Sequence, residues 1–256
     1  MWARYLAPLA ALLVLTSCAN GVAGRPVAVR ALAGGGALEF REVITATSAQ
    51  PAPAGTPAPQ SVARQPNSGP DAACSAYLTD LTRNTVDKAK FITEAKACRQ
   101  NPELAPSSDG TVQADPTAQQ AALATLNCAS GFNDPLAGNA DPRLPLATCD
   151  RDGAAKYLLS QAFLTGKEVA DSRAQVDDRG VGWVVLLSFT SAGSRIWADY
   201  TTKNVRKQVA FVLDGAVVSA PTIQEPITGG DTRINGGTGG FTKEQAEQLV
   251  DRLHSR

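Results

Sequence analysis

Two apolar runs, Val209-Ala210-Phe211-Val212-Leu213 and Ala216-Val217-Val218-Ser219-Ala220, stand on either side of Asp214-Gly215. A two-residue hairpin turn demands positive φ at both central positions. Gly adopts it freely, and Asp tolerates it through local hydrogen bonding of its short side chain. The segment therefore commits the chain to an antiparallel strand pair, and any sheet must grow from it. Trp183-Val184-Val185-Leu186-Leu187-Ser188-Phe189 is a continuous apolar run of strand length, and Thr232 to Asn235 is a further short strand. Thr190 or Ser191 can cap a helix in which Ile196, Trp197 and Tyr200 form an apolar stripe. Thr242 and Gln245 make a capping box before a last helix that turns Ala246, Leu249, Val250 and Leu253 inward. Eight of the 14 aromatic residues fall between Tyr157 and Phe241, which puts the packed core in residues 156–256. The order β-α-β-β-β-α implies an α+β fold, a mostly antiparallel sheet with helices on one face.

The N-terminus sets the expected compartment. Arg4 supplies a small positive region, and Tyr5 to Leu15 is an apolar run too short for a permanent span. It ends in Leu15-Thr16-Ser17-Cys18, which looks like a bacterial lipobox, with Cys18 as the site of lipidation and the first mature residue. Residues 1–17 are then a lipoprotein signal peptide and 18–31 a spacer behind the anchor. Two or more acyl chains, at ~0.8 kcal/mol per CH₂, hold a protein stably at a bilayer. The alternative is an ordinary secretory peptide cleaved near Ala19 or Ala23. The resulting expectation is a protein at the outer face of the cytoplasmic membrane, touching lipid only through its anchor. Formal net charge is zero, with 24 basic and 24 acidic residues, so no basic excess exists to release counterions from nucleic acid.

Four cysteines remain after Cys18: Cys74, Cys98, Cys128 and Cys149. An even set in an exported chain favours disulfides. Of three connectivities, Cys74 with Cys98 and Cys128 with Cys149 is the one in which each pair brackets a short segment, worth roughly 3 kcal/mol apiece. A zinc site is disfavoured because there is no Cys-x-x-Cys and the sole histidine is His254. Residues 71–155 read as a helical, disulfide-stapled part: Asp71 caps one helix, Val86 to Cys98 forms a second, and Asp115-Pro116 opens a third through Leu126. Residues 45–70, rich in Ala, Pro, Ser and Gln, read as a disordered linker. Upstream, Ala37 to Val43 is a strand candidate with Leu38, Phe40 and Glu42 on one face and Glu39, Arg41 and Val43 on the other.

Several of these segments carry a likeness in order: Lys156 to Leu159, Leu164 to Val169, Trp183 to Thr190, Trp197 to Thr201, Val209 to Gly215, Val218 to Pro221, Ile223 to Ile227, Ile234 to Gly237 and Phe241-Thr242. Together they resemble the head of the large first extracytoplasmic domain of SecD, the protein-export translocase subunit. Pro145 to Asp150 looks like the actinobacterial branch. The resemblance implies a SecD-head-like α+β fold, with residues 32–44 as a short remnant of the family's basal subdomain. It also implies an accessory role in protein export, with exported polypeptide or the Sec translocon as partner. The family's membrane helices and their proton-coupling groups have no counterpart in this sequence, so proton-driven work is not expected.

No catalytic, cofactor or metal set emerges. His254 reads as a surface residue in a last helical turn, Gly237-x-Gly239-Gly240 lacks the Gly-Lys-Ser/Thr ending of a phosphate loop, and Asp150-x-Asp152-Gly153 reads as a polar turn beside a disulfide. Glu168, Asp171, Asp177 and Asp178 read as turn and outward-face carboxylates. The expectation is a non-catalytic, cofactor-free binding module for exported or unfolded polypeptide. The candidate contact loop is Pro221, Ile223, Gln224, Glu225, Pro226 and Ile227, beside a groove for extended, apolar peptide. The alternative is an interaction protein that docks on an envelope partner such as the translocon without capturing polypeptide.

Overall fold

The computed structural model describes residues 37–49, 70–81, 87–107, 109–129, 132–178, 182–237 and 240–254. The expected signal peptide, Cys18, the spacer and most of the linker lie outside the described residues.

Asp214 and Gly215 have φ of 53° and 80°, the pair of positive values that the tight turn demands. A Cβ on Gly215 would also approach the Leu136 carbonyl oxygen to 3.0 Å. The turn joins β6 (Val209–Leu213) to β7 (Ala216–Ser219). The remaining strands are β1 (Leu38–Ser48), β2 (Leu146–Cys149), β3 (Ala155–Thr165), β4 (Val169–Val176), β5 (Trp183–Phe189) and β8 (Asp231–Asn235). They form two antiparallel sheets: a five-stranded one in the order β2-β3-β1-β6-β7 and a three-stranded one in the order β4-β5-β8. The fold is thus α+β with antiparallel sheets.

Three strands escape the sequence pattern. β2 is four residues long, too short to show a period, and β3 and β4 interleave Lys156, Ser160, Gln161, Asp171 and Arg173 with their apolar positions. β1 also differs from expectation. It runs to Ser48, into the stretch read as linker, and it sits in the middle of the larger sheet between β3 and β6. The resemblance implies only a short basal remnant here, and the local pattern does not reveal the strand's place, because its partners lie more than a hundred residues away, at Ala155–Thr165 and Val209–Leu213.

Among the described residues there are five α-helices: α1 (Pro70–Leu81), α2 (Lys88–Arg99), α3 (Pro116–Thr125), α4 (Ser191–Lys203) and α5 (Lys243–His254). Asp87 caps α2 by accepting from the N–H groups of Ala89 and Lys90, Asp115 caps α3, and Thr190 caps α4. Thr242 and Gln245 exchange hydrogen bonds of 2.9 and 3.2 Å ahead of α5. Disulfides join Cys74 to Cys98, tying α1 to α2, and Cys128 to Cys149, tying the segment after α3 to the end of β2.

Both faces of the larger sheet are covered. Leu38 and Phe40 of β1 with Val209, Phe211 and Leu213 of β6 face a core shared with Val185 and Leu187 of β5, Trp197 of α4 and Leu249 and Leu253 of α5. Ala210 and Val212 point the other way, toward Tyr77, Ala95, Cys98, Ala118 and Ala122 of α1–α3. Every residue of β6 is accordingly buried. Phe40 and Trp197 centre an aromatic cluster, with the rings of Phe163, Phe189, Trp197 and Phe211 centred 5.1 to 6.4 Å from Phe40. In α4 the inward stripe is Gly193, Trp197 and Thr201, whereas Ile196, expected inward, is 39% exposed. Its neighbour Trp197 takes the central position, and the 100° step between consecutive residues turns Ile196 to solvent.

On the helical side of β1 lies a buried ion pair that the alternating pattern does not disclose. Arg41 is fully buried, its Nε donates to Glu39 Oε2 at 2.7 Å, and its other nitrogens donate to the carbonyl oxygens of Leu144, Ser160 and Asp141 at 2.7, 2.7 and 3.2 Å. Burial pushes the Glu39 carboxyl up, and the Arg41 charge and hydrogen bond oppose that rise. Removing one member of such a pair strands the other in the interior. Arg41→Ala is expected to lower unfolding free energy by about 3–5 kcal/mol in urea titration. A loss below about 1 kcal/mol would show that the pair and its carbonyl contacts do not hold the sheet.

Candidate functional site

The loop from Ala220 to Gly230 connects β7 to β8, and the core fixes it at three places. Val209 N–H donates to the Pro221 carbonyl at 3.0 Å, Ile223 N–H to Lys207 at 2.9 Å, and Arg206 N–H to Ile223 at 2.7 Å. These bonds continue the β6–β7 ladder past the strand ends. Further along, Ile227 N–H donates to the Thr201 hydroxyl at 3.0 Å, while that buried hydroxyl donates to the Trp197 carbonyl at 2.9 Å. Finally, Phe189 N–H donates to the Gly230 carbonyl at 2.9 Å.

This anchoring divides the candidate contact residues. Ile223, expected on the binding surface, is 3% exposed and belongs to the core beside Trp197 and Phe211. Its ladder position turns it inward, so it cannot touch a partner without unfolding the loop. Ile227 is half-buried against the same core. Gln224, Glu225 and Pro226 are exposed and form the tip, and Pro221 is half-buried at the base.

Beside that base is a shallow depression of about 330 Å³ with a mixed polar and apolar lining. Val217, Val218 and Pro221 line one wall, Tyr157 and the Asp150–Asp152 turn another, and Asn235–Gly237 a third. The turn arrives there because Arg151 N–H donates to the Val217 carbonyl at 3.0 Å. Asp150 accepts at Oδ1 from Ala154 N–H at 2.7 Å, and Gly153 takes φ of 71° with its Cα so close to Cys128 that a Cβ would lie 2.1 Å from the Cys128 oxygen. Asp150 thus closes its own turn, as expected of a polar turn beside a disulfide. Sequence reasoning missed this turn as a wall of the site, because about seventy residues separate it from the loop and nothing local signals the approach.

The other ionisable groups stay apart. Glu168 Oε2 accepts from the Thr165 N–H and hydroxyl at 2.9 and 2.8 Å and closes a short 3-10 turn. Asp177 and Asp178 both pair with Arg233. His254 Nε2 lies 3.1 Å from Ser172 Oγ and 3.8 Å from Asp171 Oδ1. One nitrogen faces both groups, whereas a nucleophile relay needs the carboxylate on the second ring nitrogen. Among the described residues no three His, Cys, Asp or Glu side chains gather as a metal site, and no helix is long and apolar enough to cross a membrane.

Residues 144–255, which contain the loop, the depression and seven of the strands, match the family described as SecDF, P1 head subdomain. This part of the chain is similar to the SecD head. Protein translocase subunit SecD of Mycobacterium tuberculosis (strain H37Rv) is 47% identical over 121 residues, covering 47% of this chain and 21% of that protein. SecD of Acidaminococcus fermentans is 38% identical over 122 residues, covering 47% of this chain and 28% of that protein, and SecD of Streptomyces coelicolor is 33% identical over 150 residues, covering 54% and 26%. The chain therefore spans only 21 to 28% of the length of these relatives. Among solved structures, that of a membrane component SecDF that enhances protein export aligns over 87% of this chain and 63% of its own, with a TM-score of 0.40 and 19% identity.

The loop's division of labour is separable by mutation. Ile223→Ala should cost about 2–5 kcal/mol of stability, because it removes buried methyl groups and leaves a cavity. Gln224→Ala, at the exposed tip, should leave the urea midpoint unchanged within error. Equal small effects from both would place Ile223 outside the core.

Proposed function

We propose that this protein is an extracytoplasmic accessory of protein translocation: a non-catalytic module that binds exported or unfolded polypeptide and is held at the outer face of the cytoplasmic membrane by lipid on Cys18. The observation that carries the reading is the similarity to the SecD head within residues 144–255, shared with relatives named as protein translocase subunits. The lipobox-like Leu15-Thr16-Ser17-Cys18 supports the anchor, and the four cysteines joined in two disulfides fit an oxidising compartment.

The contact surface in this reading is the exposed tip Gln224–Glu225–Pro226 together with the depression at Pro221. Its shallow, mixed polar and apolar lining suits a partner recognised as extended main chain rather than by one side chain. A photo-crosslinker at Gln224 should label unfolded secretory polypeptide several-fold more strongly than one at Leu78, an exposed residue of α1. Equal labelling at both positions would refute polypeptide capture at this loop, and a single stoichiometric envelope protein at Gln224 would favour docking on a partner such as the translocon.

The anchor has its own test. Cys18→Ser should move the protein from the membrane pellet to the soluble extracytoplasmic fraction and abolish incorporation of labelled fatty acid. Unchanged membrane retention and labelling would remove Cys18 as the attachment point.

A further inference from the structure

Two antiparallel sheets have four edges, and three of them are short or obstructed. β2 and β7 are four residues each, and β7 is bridged by Asp150 through the Arg151 N–H to Val217 bond. β8 is five residues, and its end shares a depression with β7. β4 is different: eight residues long, at the margin of its sheet, with no described strand beyond it. Ala170, Asp171, Arg173 and Val176 are exposed along it, Val176 to 61%. A long edge presents a row of backbone donors and acceptors that another strand can use.

The side chains on this edge specify what fits. The pairing of β4 with β5 sets Ser172 opposite the buried Leu187, on the core face, and Asp171 and Arg173 opposite Ser188 and Leu186, on the outer face. Arg173 enters no ion pair among the described residues. An antiparallel neighbour with Arg opposite Asp171 and Asp opposite Arg173 would form two cross-strand ion pairs on one face. β4 itself meets that requirement. With a two-fold axis at Ser172, on the regular part of the strand beyond the bulge at Ala170, Asp171 lies opposite Arg173 of a second copy and Arg173 opposite its Asp171.

We propose that β4 is a self-association edge, at which two copies of this chain pair β4 to β4 across a two-fold axis at Ser172 and join their three-stranded sheets into one six-stranded sheet. Isologous pairing of this kind makes each contact twice. His254 stands guard at this edge, since Nε2 lies between Ser172 on one face of the strand and Asp171 on the other, and its 54%-exposed ring must swing outward as the strands meet. The interface is one strand wide, below the area of a standard stable complex, so the dimer is a weak one whose population rises with local concentration.

The test uses the full disulfide-bonded chain and two charge reversals at exposed positions, with circular dichroism to check folding. Wild type should show concentration-dependent dimerisation in sedimentation velocity. Asp171→Arg and Arg173→Asp should each weaken it roughly tenfold, because each sets two like-charged pairs opposite one another. An equimolar mixture of the two variants should associate again, since the two basic side chains of one variant then face the two acidic side chains of the other. His254→Ala should leave dimerisation intact or strengthen it. A wild type that stays monomeric at millimolar concentration, variants that dimerise as wild type does, or a mixture no better than either variant alone would each overturn the proposal. Capture of an unfolded peptide at this edge in place of the second copy would overturn it too.

Discussion

Backbone that runs irregularly through a protein interior needs a partner for each polar group, and here the stretch between α3 and β2 has that problem. Residues 132–145 form turns rather than ladders, yet Pro135, Leu136 and Pro145 among them are buried, and Leu136 joins the core on the helical side of the larger sheet. Three side chains solve it. Arg41 reaches from β1 to the carbonyls of Asp141 and Leu144. Arg99, at the end of α2 and 1% exposed, holds Asp134 through two bonds of 2.7 Å and donates to the Ala147 carbonyl at 3.0 Å. Gln100 exchanges two 2.8 Å bonds with the backbone of Asp141. Desolvating a guanidinium costs several kcal/mol, so these arginines are not a source of net stability in themselves. What they do is tie that stretch to β1, α2 and β2, each charge and carbonyl serving as the other's partner.

The same constraint explains why the helical part needs covalent help. α1–α3 bury mainly Ala, Cys and one Tyr, small groups that each contribute little transfer free energy. The Cys74–Cys98 disulfide confines α1 and α2 as one piece, and Arg99 then fixes that piece to β2. Asp141 is locked in turn by Arg143, whose side chain and N–H hold its carboxyl down at about 2. On the opposite side of the sheet the situation reverses, since Phe40, Phe211, Trp197 and the leucines of α5 bury large apolar surfaces and need no staple.

Local chemistry was legible in the sequence and distant pairing was not. Asp214-Gly215 fixes its turn within four residues, and the capping residues Asp115, Thr190 and Thr242 work through hydrogen bonds to their next turn, so each reveals itself in a short window. β1 reveals only that it is a strand. Its place between β3 and β6, and the burial of Glu39 and Arg41 on a face that reads as polar, depend on partners far along the chain. The candidate loop shows both sides of the matter. Prolines and glycines mark Pro221 to Gly230 as a turn-rich connection, but whether Ile223 points out or in follows from its bonds to Lys207 and Arg206, which no local pattern encodes.

That inward turn of Ile223 bears on how any recognition at the loop must work. With Ile223 and Ile227 rooted beside Trp197, the loop offers no large apolar side chain of its own to a partner. What remains outside is the polar tip, the Pro221 ring and the mixed depression walled by the Asp150–Asp152 turn. An apolar anchor binding in a deep pocket would select particular sequences, whereas contacts to main chain and shallow surface discriminate little between them. The proposed capture of diverse exported polypeptides requires tolerance of that kind. A rigid loop also suits it, since a tip already held by Thr201, Lys207 and Phe189 loses little conformational entropy on contact, and weak interactions then suffice to retain a passing chain.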